Sequence, residues 1–204
     1  MNYKKSNYLI CFLGSFIFGI KVAFCEAAGY GTDPLTVFLE GTYWRFGVTL
    51  GVMNLFINLI QIMGAFILDR KTVSIVSFFE MIGCSLGIDT LIKLQEVKIF
   101  VFNRVLMLLM GIVIYSFGCA VTQIPRCGYS AYDSLIFGIQ SHIHAKYRFI
   151  RWGLEILFVF TGFILGGNIG IGTVLLFILA GPLIEIFVRY MNQFNKRYFS
   201  MINC

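Results

Sequence analysis

Gly31-Thr32-Asp33-Pro34-Leu35-Thr36-Val37-Phe38 returns 97 residues later as Gly128-Tyr129-Ser130-Ala131-Tyr132-Asp133-Ser134-Leu135. The same offset pairs Gly14 with Gly111, Gly41 with Gly138, Asn54 with Arg151, and Asn58 with Glu155. Both segments lie between long apolar runs. A repeat of this length in apolar sequence marks secondary transporters built from two related halves. The chain therefore reads as one unit used twice.

Working outward, a membrane-spanning helix needs about 20 mostly apolar residues. Six stretches qualify, near 8–28, 48–68, 72–92, 100–122, 148–166 and 170–190. Two more, near 34–44 and 131–142, are too short to cross, and each sits between the first and second spans of its half. Asp33 is placed to cap the first short helix, with Pro34 at its first turn, where a missing N–H costs nothing. Gly29 and Gly31 end the first span, and Asp69-Arg70-Lys71 makes a tight turn. Lys93 to Lys98 reads as a linker dividing residues 1–95 from 96–204, the latter ending in a short cytoplasmic tail. The fold class is an all-α membrane protein with six transmembrane helices as two inverted repeats of three. Each repeat carries an extra short helix, either re-entrant or interfacial.

Composition supports the membrane reading. The 204 residues are 58% hydrophobic and 13% charged, where a soluble domain has about 25% charged residues. The net charge of +6 sits at the ends of apolar runs, not in a patch, so no nucleic-acid partner is expected. The first apolar run is longer than a signal-peptide core and contains Lys21, which argues against cleavage. Six cysteines show no C-x-x-C spacing, and Cys11, Cys25, Cys84 and Cys119 read as small apolar helix residues. Cys204 ends no prenylation box.

Lys and Arg set the orientation. With the N-terminus inside, the inner face holds ten of the sixteen, and Arg45, Lys93, Lys98 and Arg104 fall outside. This bias places both termini in the cytoplasm. Three spans per half is an odd number, so the second half enters from the opposite side.

Ionisable and polar residues within spans are the functional candidates, because burying one in the bilayer costs about 2.5–3.5 kcal/mol on insertion scales. Lys21, Glu80, Asp89, Arg151, Glu155 and Glu185 qualify. Arg151 and Glu155, four apart, share a helix face and can pair. Symmetry then suggests an outer cluster of Thr36, Asn54, Asn58 and Asp89, and an inner cluster of Asp133, Arg151, Glu155 and Glu185. Lys21 is a candidate to neutralise Glu80. These groups form either a structural pairing network or a substrate or ion path. Glycines at small-xxx-small spacing, Gly83/Gly87 and Gly162/Gly166, read as helix-packing sites. His142 and His144 read as solvated loop residues. No metal set, cofactor motif or catalytic constellation is present, so no enzyme is expected.

With these residues in view, the chain resembles the YczE/YyaS/YitT family of bacterial integral membrane proteins. The resemblance rests on the Gly31–Val37 and Tyr132–Leu135 segments and on Arg151-x-x-x-Glu155. It extends to Gly170-Ile171-Gly172-Thr173 and Gly181-Pro182-Leu183-Ile184-Glu185. Ala131 stands where the family usually has proline, and Lys21 is a departure in the first span. The resemblance implies a multi-pass protein of the bacterial plasma membrane with poorly defined activity. Two functions stay open. One is a permease moving a small solute by alternating access, with Arg151 and Glu155 at an inner gate and Asn54, Asn58 and Asp89 at an outer one. The other is a non-transporting accessory, homodimeric or bound to a membrane partner enzyme or export system.

Overall fold

The computed structural model describes residues 5–96, 103–125, 127–143 and 145–202. Within them the regular elements are eight α-helices: α1 (Lys5–Ala28), α2 (Pro34–Phe46), α3 (Leu50–Leu68), α4 (Ile75–Glu96), α5 (Arg104–Gln123), α6 (Ala131–His142), α7 (Tyr147–Ile164) and α8 (Ile171–Ile202). Four segments are long and apolar enough to cross a membrane: Asn7–Ala28, Leu50–Leu68, Arg104–Gln123 and Ile171–Gln193. Their large side chains are often bare, Ile67 at 79% exposed and Ile171 at 71%. Exposed apolar surface on this scale calls for lipid around it.

Local chemistry sets the ends. Pro34 opens α2, and Gly47 closes it in the left-handed conformation (φ 67°) with its N–H on Tyr43 O. Thr49, Asn103 and Ser130 cap α3, α5 and α6 through their side-chain oxygens, each satisfying a backbone N–H that the helix leaves free. Three expectations change. Residues 93–96 are the end of α4, not linker, while 97–102 lie outside the described residues. The last helix continues to Ile202 in place of a short tail, since Met191 to Ile202 contains no glycine or proline to stop it. His142 is the last residue of α6, not a loop residue, and His144 lies outside the described residues.

α1 is the centre of the molecule, packed against α4 and α5. Small residues make this possible, because lipid gives helices no hydrophobic reason to associate and close backbone approach must do so instead. Gly83 and Gly87 of α4 face Phe12 and Phe16 of α1. Gly118 of α5 is so close to α1 that a Cβ there would fall 2.6 Å from the Phe18 nitrogen. α1 and α5 run antiparallel. Gly14 lies against Val121 and Thr122, whereas Gly111, nearer the start of α5, lies against Phe24 and Cys25, near the end of α1.

Exchanging the halves by 97 residues turns the first of these contacts into the second. It likewise turns Gly41 against Gly162 and Leu165 into Gly138 against Ala65 and Leu68. The helix pairings follow the same rule: α1–α4 matches α5–α8, α2–α7 matches α6–α3, and α2–α3 matches α6–α7. Two pairings do not. α4 packs against α3 and α6, but the counterpart pairs, α8 with α7 and α8 with α2, make little contact.

The chain turns sharply after α1. Gly29 (φ 69°) and Gly31 (φ 89°) adopt left-handed conformations that other residues resist. This bend brings Asp33 back to Lys21, which lies two turns before the end of α1. α2 then runs alongside α7, from Pro34, which shares a cavity wall with Glu155, to Gly41, which packs on Gly162 and Leu165. Its N-terminus therefore starts at the level of the middle of α7.

Candidate functional site

Lys21 is 1% exposed and forms an ion pair with Asp33. A buried ammonium needs such a partner, since desolvating an unpaired charge costs several kcal/mol. Asp33 Oδ1 also accepts from Thr36 Oγ1 at 2.6 Å. The Lys21 ammonium sits 4.7 Å from the Phe18 ring centroid and 4.4 Å from that of Tyr115, so two aromatic faces add to its stabilisation. The expected Lys21–Glu80 neutralisation is corrected: Asp33, brought back by the Gly29–Gly31 bend, takes that role. Asp33 itself makes no side-chain cap bond to α2, because its carboxylate is engaged by Lys21 and Thr36.

The second group lies where α6 meets α7. Arg151 Nε donates to Glu155 Oε1 at 2.8 Å, as their spacing predicts. Tyr147 OH donates to Asp133 Oδ1 at 2.5 Å, and Tyr132 OH to the Arg151 carbonyl at 3.3 Å. Glu155 Oε2 is buried with no hydrogen-bond partner. The Gln61 side chain is likewise buried with neither amide atom bonded. Such atoms are rare in folded proteins and call for a ligand, a water or a role.

Tyr115 and Cys119 of α5 lie near both groups. Tyr115 of α5 is within reach of the charges on Asp33, Arg151 and Glu155. Cys119, one turn on, is within reach of Lys21, Arg151, Glu80 and Asp133, and Glu80 senses Asp133. At the low dielectric of an interior such interactions carry far. The expected division into an outer and an inner cluster changes accordingly. Thr36 joins the Lys21 pair, and Asp133, Arg151 and Glu155 stand near it around α5.

Asn54, Asn58 and Asp89 do something else. Asn54 Nδ2 donates to Ser85 Oγ at 2.8 Å, and Asn58 Nδ2 to Asn54 Oδ1 at 3.0 Å. Asp89 accepts from the Gly51 N–H at 2.8 Å and from Thr49 Oγ1 at 3.0 Å, so it secures the start of α3. Together these bonds hold α3 to α4. Glu185 is exposed on α8, away from this interface.

Glu40 escaped the sequence reading. It is 3% exposed, with Oε1 accepting from Thr32 Oγ1 at 2.8 Å and Oε2 from the Asn168 N–H at 3.0 Å. It ties α2 to the turn between α7 and α8. The signal was a lone carboxylate among apolar residues of a short helix, Val37-Phe38-Leu39-Glu40.

Between α7 and α8 lies a cavity of about 700 Å³, lined by Pro34, Trp152, Glu155, Phe160, Val174 and Phe177 among others.

The helical fold, its lipid-scale apolar surface and the charges within its helices define an integral membrane protein. The chain belongs to the family of unknown function DUF6198, whose pattern matches residues 5–189. It is 28% identical over 188 residues to an uncharacterized protein of Haemophilus influenzae, covering 92% of this chain and 84% of the relative. It is 24% identical over 190 residues to the uncharacterized protein YyaS of Bacillus subtilis, covering 92% and 94%. It is also 23% identical over 168 residues to the uncharacterized membrane protein YczE of Bacillus subtilis, covering 82% and 78%. The resemblance to YczE and YyaS thus holds over most of the chain. No solved structure matches.

Proposed function

We propose that this protein is a secondary transporter of the bacterial plasma membrane, working by alternating access of two inverted halves. α1, α3 and α4 are the spans of the first half, and α5, α7 and α8 those of the second. α2 and α6 are re-entrant helices. Antiparallel packing of the equivalent helices α1 and α5, with contacts that survive exchange of the halves, supports a two-fold axis in the membrane plane. The return of Asp33 to Lys21 supports a re-entrant α2. The bias of Lys and Arg puts both termini in the cytoplasm.

One observation carries the reading. The α3–α4 arm is closed by Asn54, Ser85 and Asp89, while the equivalent α7–α8 arm is parted around a cavity. Two halves of one plan in different states are what a transporter looks like when open to one side. Exchange of those states would open the other side, with the Lys21–Asp33 and Arg151–Glu155 groups fixed near the axis.

Spin labels test this without a known solute. One pair placed on α3 and α4 at Phe56 and Phe79, and another on α7 and α8 at Phe160 and Phe177, report the two arms. Two populations are expected, with a longer α7–α8 distance accompanying a shorter α3–α4 distance and the reverse. A single fixed distance in each arm, across pH and sodium conditions, would overturn alternating access.

A further inference from the structure

We propose that Lys21 is an ion-pair switch: its ammonium, paired with Asp33 before α2 in this structure, moves to Asp133 of α6 when the two arms exchange. This rests on the transporter reading and names the side chains that select between its states.

The place of Lys21 carries the idea. Phe18 and Tyr115 are 97 residues apart, so they hold equivalent positions in the two halves. Their rings meet, with centroids 5.1 Å apart. Equivalent residues that touch each other flank the axis of the inverted arrangement proposed above. The Lys21 ammonium lies over both rings, 4.7 Å from the Phe18 centroid and 4.4 Å from that of Tyr115. It therefore stands near that axis, and its counterpart, Gly118, brings no second cation. One ammonium serves two halves.

Each half carries a carboxylate at the start of its short helix. Asp33 precedes α2, and Asp133 lies in the first turn of α6. The offset sets Asp133 opposite Thr36, not opposite Asp33. The difference is small in space, because Thr36 Oγ1 lies 2.6 Å from Asp33 Oδ1. Cys119, one turn after Tyr115, is within reach of both Lys21 and Asp133.

Asp133 is meanwhile held by a neutral donor. Tyr147 OH donates to its Oδ1 at 2.5 Å, and the neighbouring cation, Arg151, is engaged by Glu155. A carboxylate away from water gains more from a cation than from a phenol, so Asp133 competes with Asp33 for the ammonium. A compact charge on a flexible four-carbon stem changes partner without moving its helix. In an inverted repeat, what the first half does in one state the second half does in the other. With α3–α4 closed and α7–α8 parted, the ammonium rests on the acid of the first half. Exchange places it on the acid of the second, while both groups keep their places near the axis.

The spin-label pairs on the two arms read the switch. Asp33→Asn removes the present partner and should raise the ratio of the exchanged form to the present one by at least about tenfold. Asp133→Asn removes the alternative partner and should lower that ratio by a similar factor. Tyr147→Phe frees Asp133 while keeping Lys21 and both acids, so it should move the ratio in the same direction as Asp33→Asn. Opposed shifts are the signature, because a pair that only braces the fold would respond to both losses alike. Arm exchange with no shift in the variants, or with shifts in one direction, would overturn the switch and leave transport standing. A single fixed distance in each arm, in the unsubstituted protein and in the variants, would overturn both. Should Asp33→Asn not fold, Asp133→Asn and Tyr147→Phe decide by the same opposition.

Discussion

Gly14 and Gly111 occupy equivalent places in two crossing helices, each pressed against the other's half: Gly14 on Val121 and Thr122, Gly111 on Phe24 and Cys25. Exchanging the halves by 97 residues converts the first contact into the second. Only glycine lets α1 and α5 approach this closely, because a Cβ at either position would lie within 3 Å of a heavy atom of the other helix.

Gly118 extends the same crossing. Gly118→Leu should force α1 from α5, lowering stability by about 1–3 kcal/mol or preventing folding. Gly153 of α7 has nothing within 4 Å of its Cβ position. Gly153→Ala should therefore leave stability unchanged or raise it by up to about 1 kcal/mol, from helix propensity alone. Thermal unfolding in one detergent, followed by tryptophan fluorescence, compares the two.

Lys21 and Asp33 should behave as a pair. Lys21→Met strands the Asp33 carboxylate in a site built for a cation, at a cost of about 3–5 kcal/mol. Lys21→Met with Asp33→Asn removes both charges and should recover a large share of that loss. A double-mutant cycle measures the coupling. Additive losses would mean that the ion pair does not hold α2 to α1.

Glu40→Ala removes both acceptors that join Thr32 to Asn168. The expected result is faster amide hydrogen exchange at Asn168 and its neighbours, with the α3–α4 interface unaffected. Asp89→Ala should give the reverse pattern, with fraying at Gly51 and a loss of about 1 kcal/mol from the lost cap.

Much of this architecture was legible because glycine and proline mark helix ends and apolar runs mark spans. Apolar runs located the eight described helices, the 97-residue offset related the two halves, and Arg151–Glu155 paired as their spacing required. Partners brought together by bends were not legible. Lys21 meets Asp33 only because Gly29 and Gly31 fold the chain back, and Glu40 meets Asn168 across 128 residues. Asp89 read as a membrane charge, yet it serves as a helix-end acceptor. Residues of equal type and depth differ in role through neighbours that a linear pattern does not contain.

The proposed inverted arrangement of the halves has one direct test. Lys71, in the α3–α4 turn, and Asn168, its counterpart in the α7–α8 turn, are both exposed and should face opposite sides of the membrane. Single cysteines at these positions in an otherwise cysteine-free chain, treated in intact cells with an impermeant maleimide, report which side each occupies. Labelling at Asn168→Cys and protection at Lys71→Cys until the cells are permeabilised is the predicted result. Both positions labelled, or both protected, from the same side would contradict it.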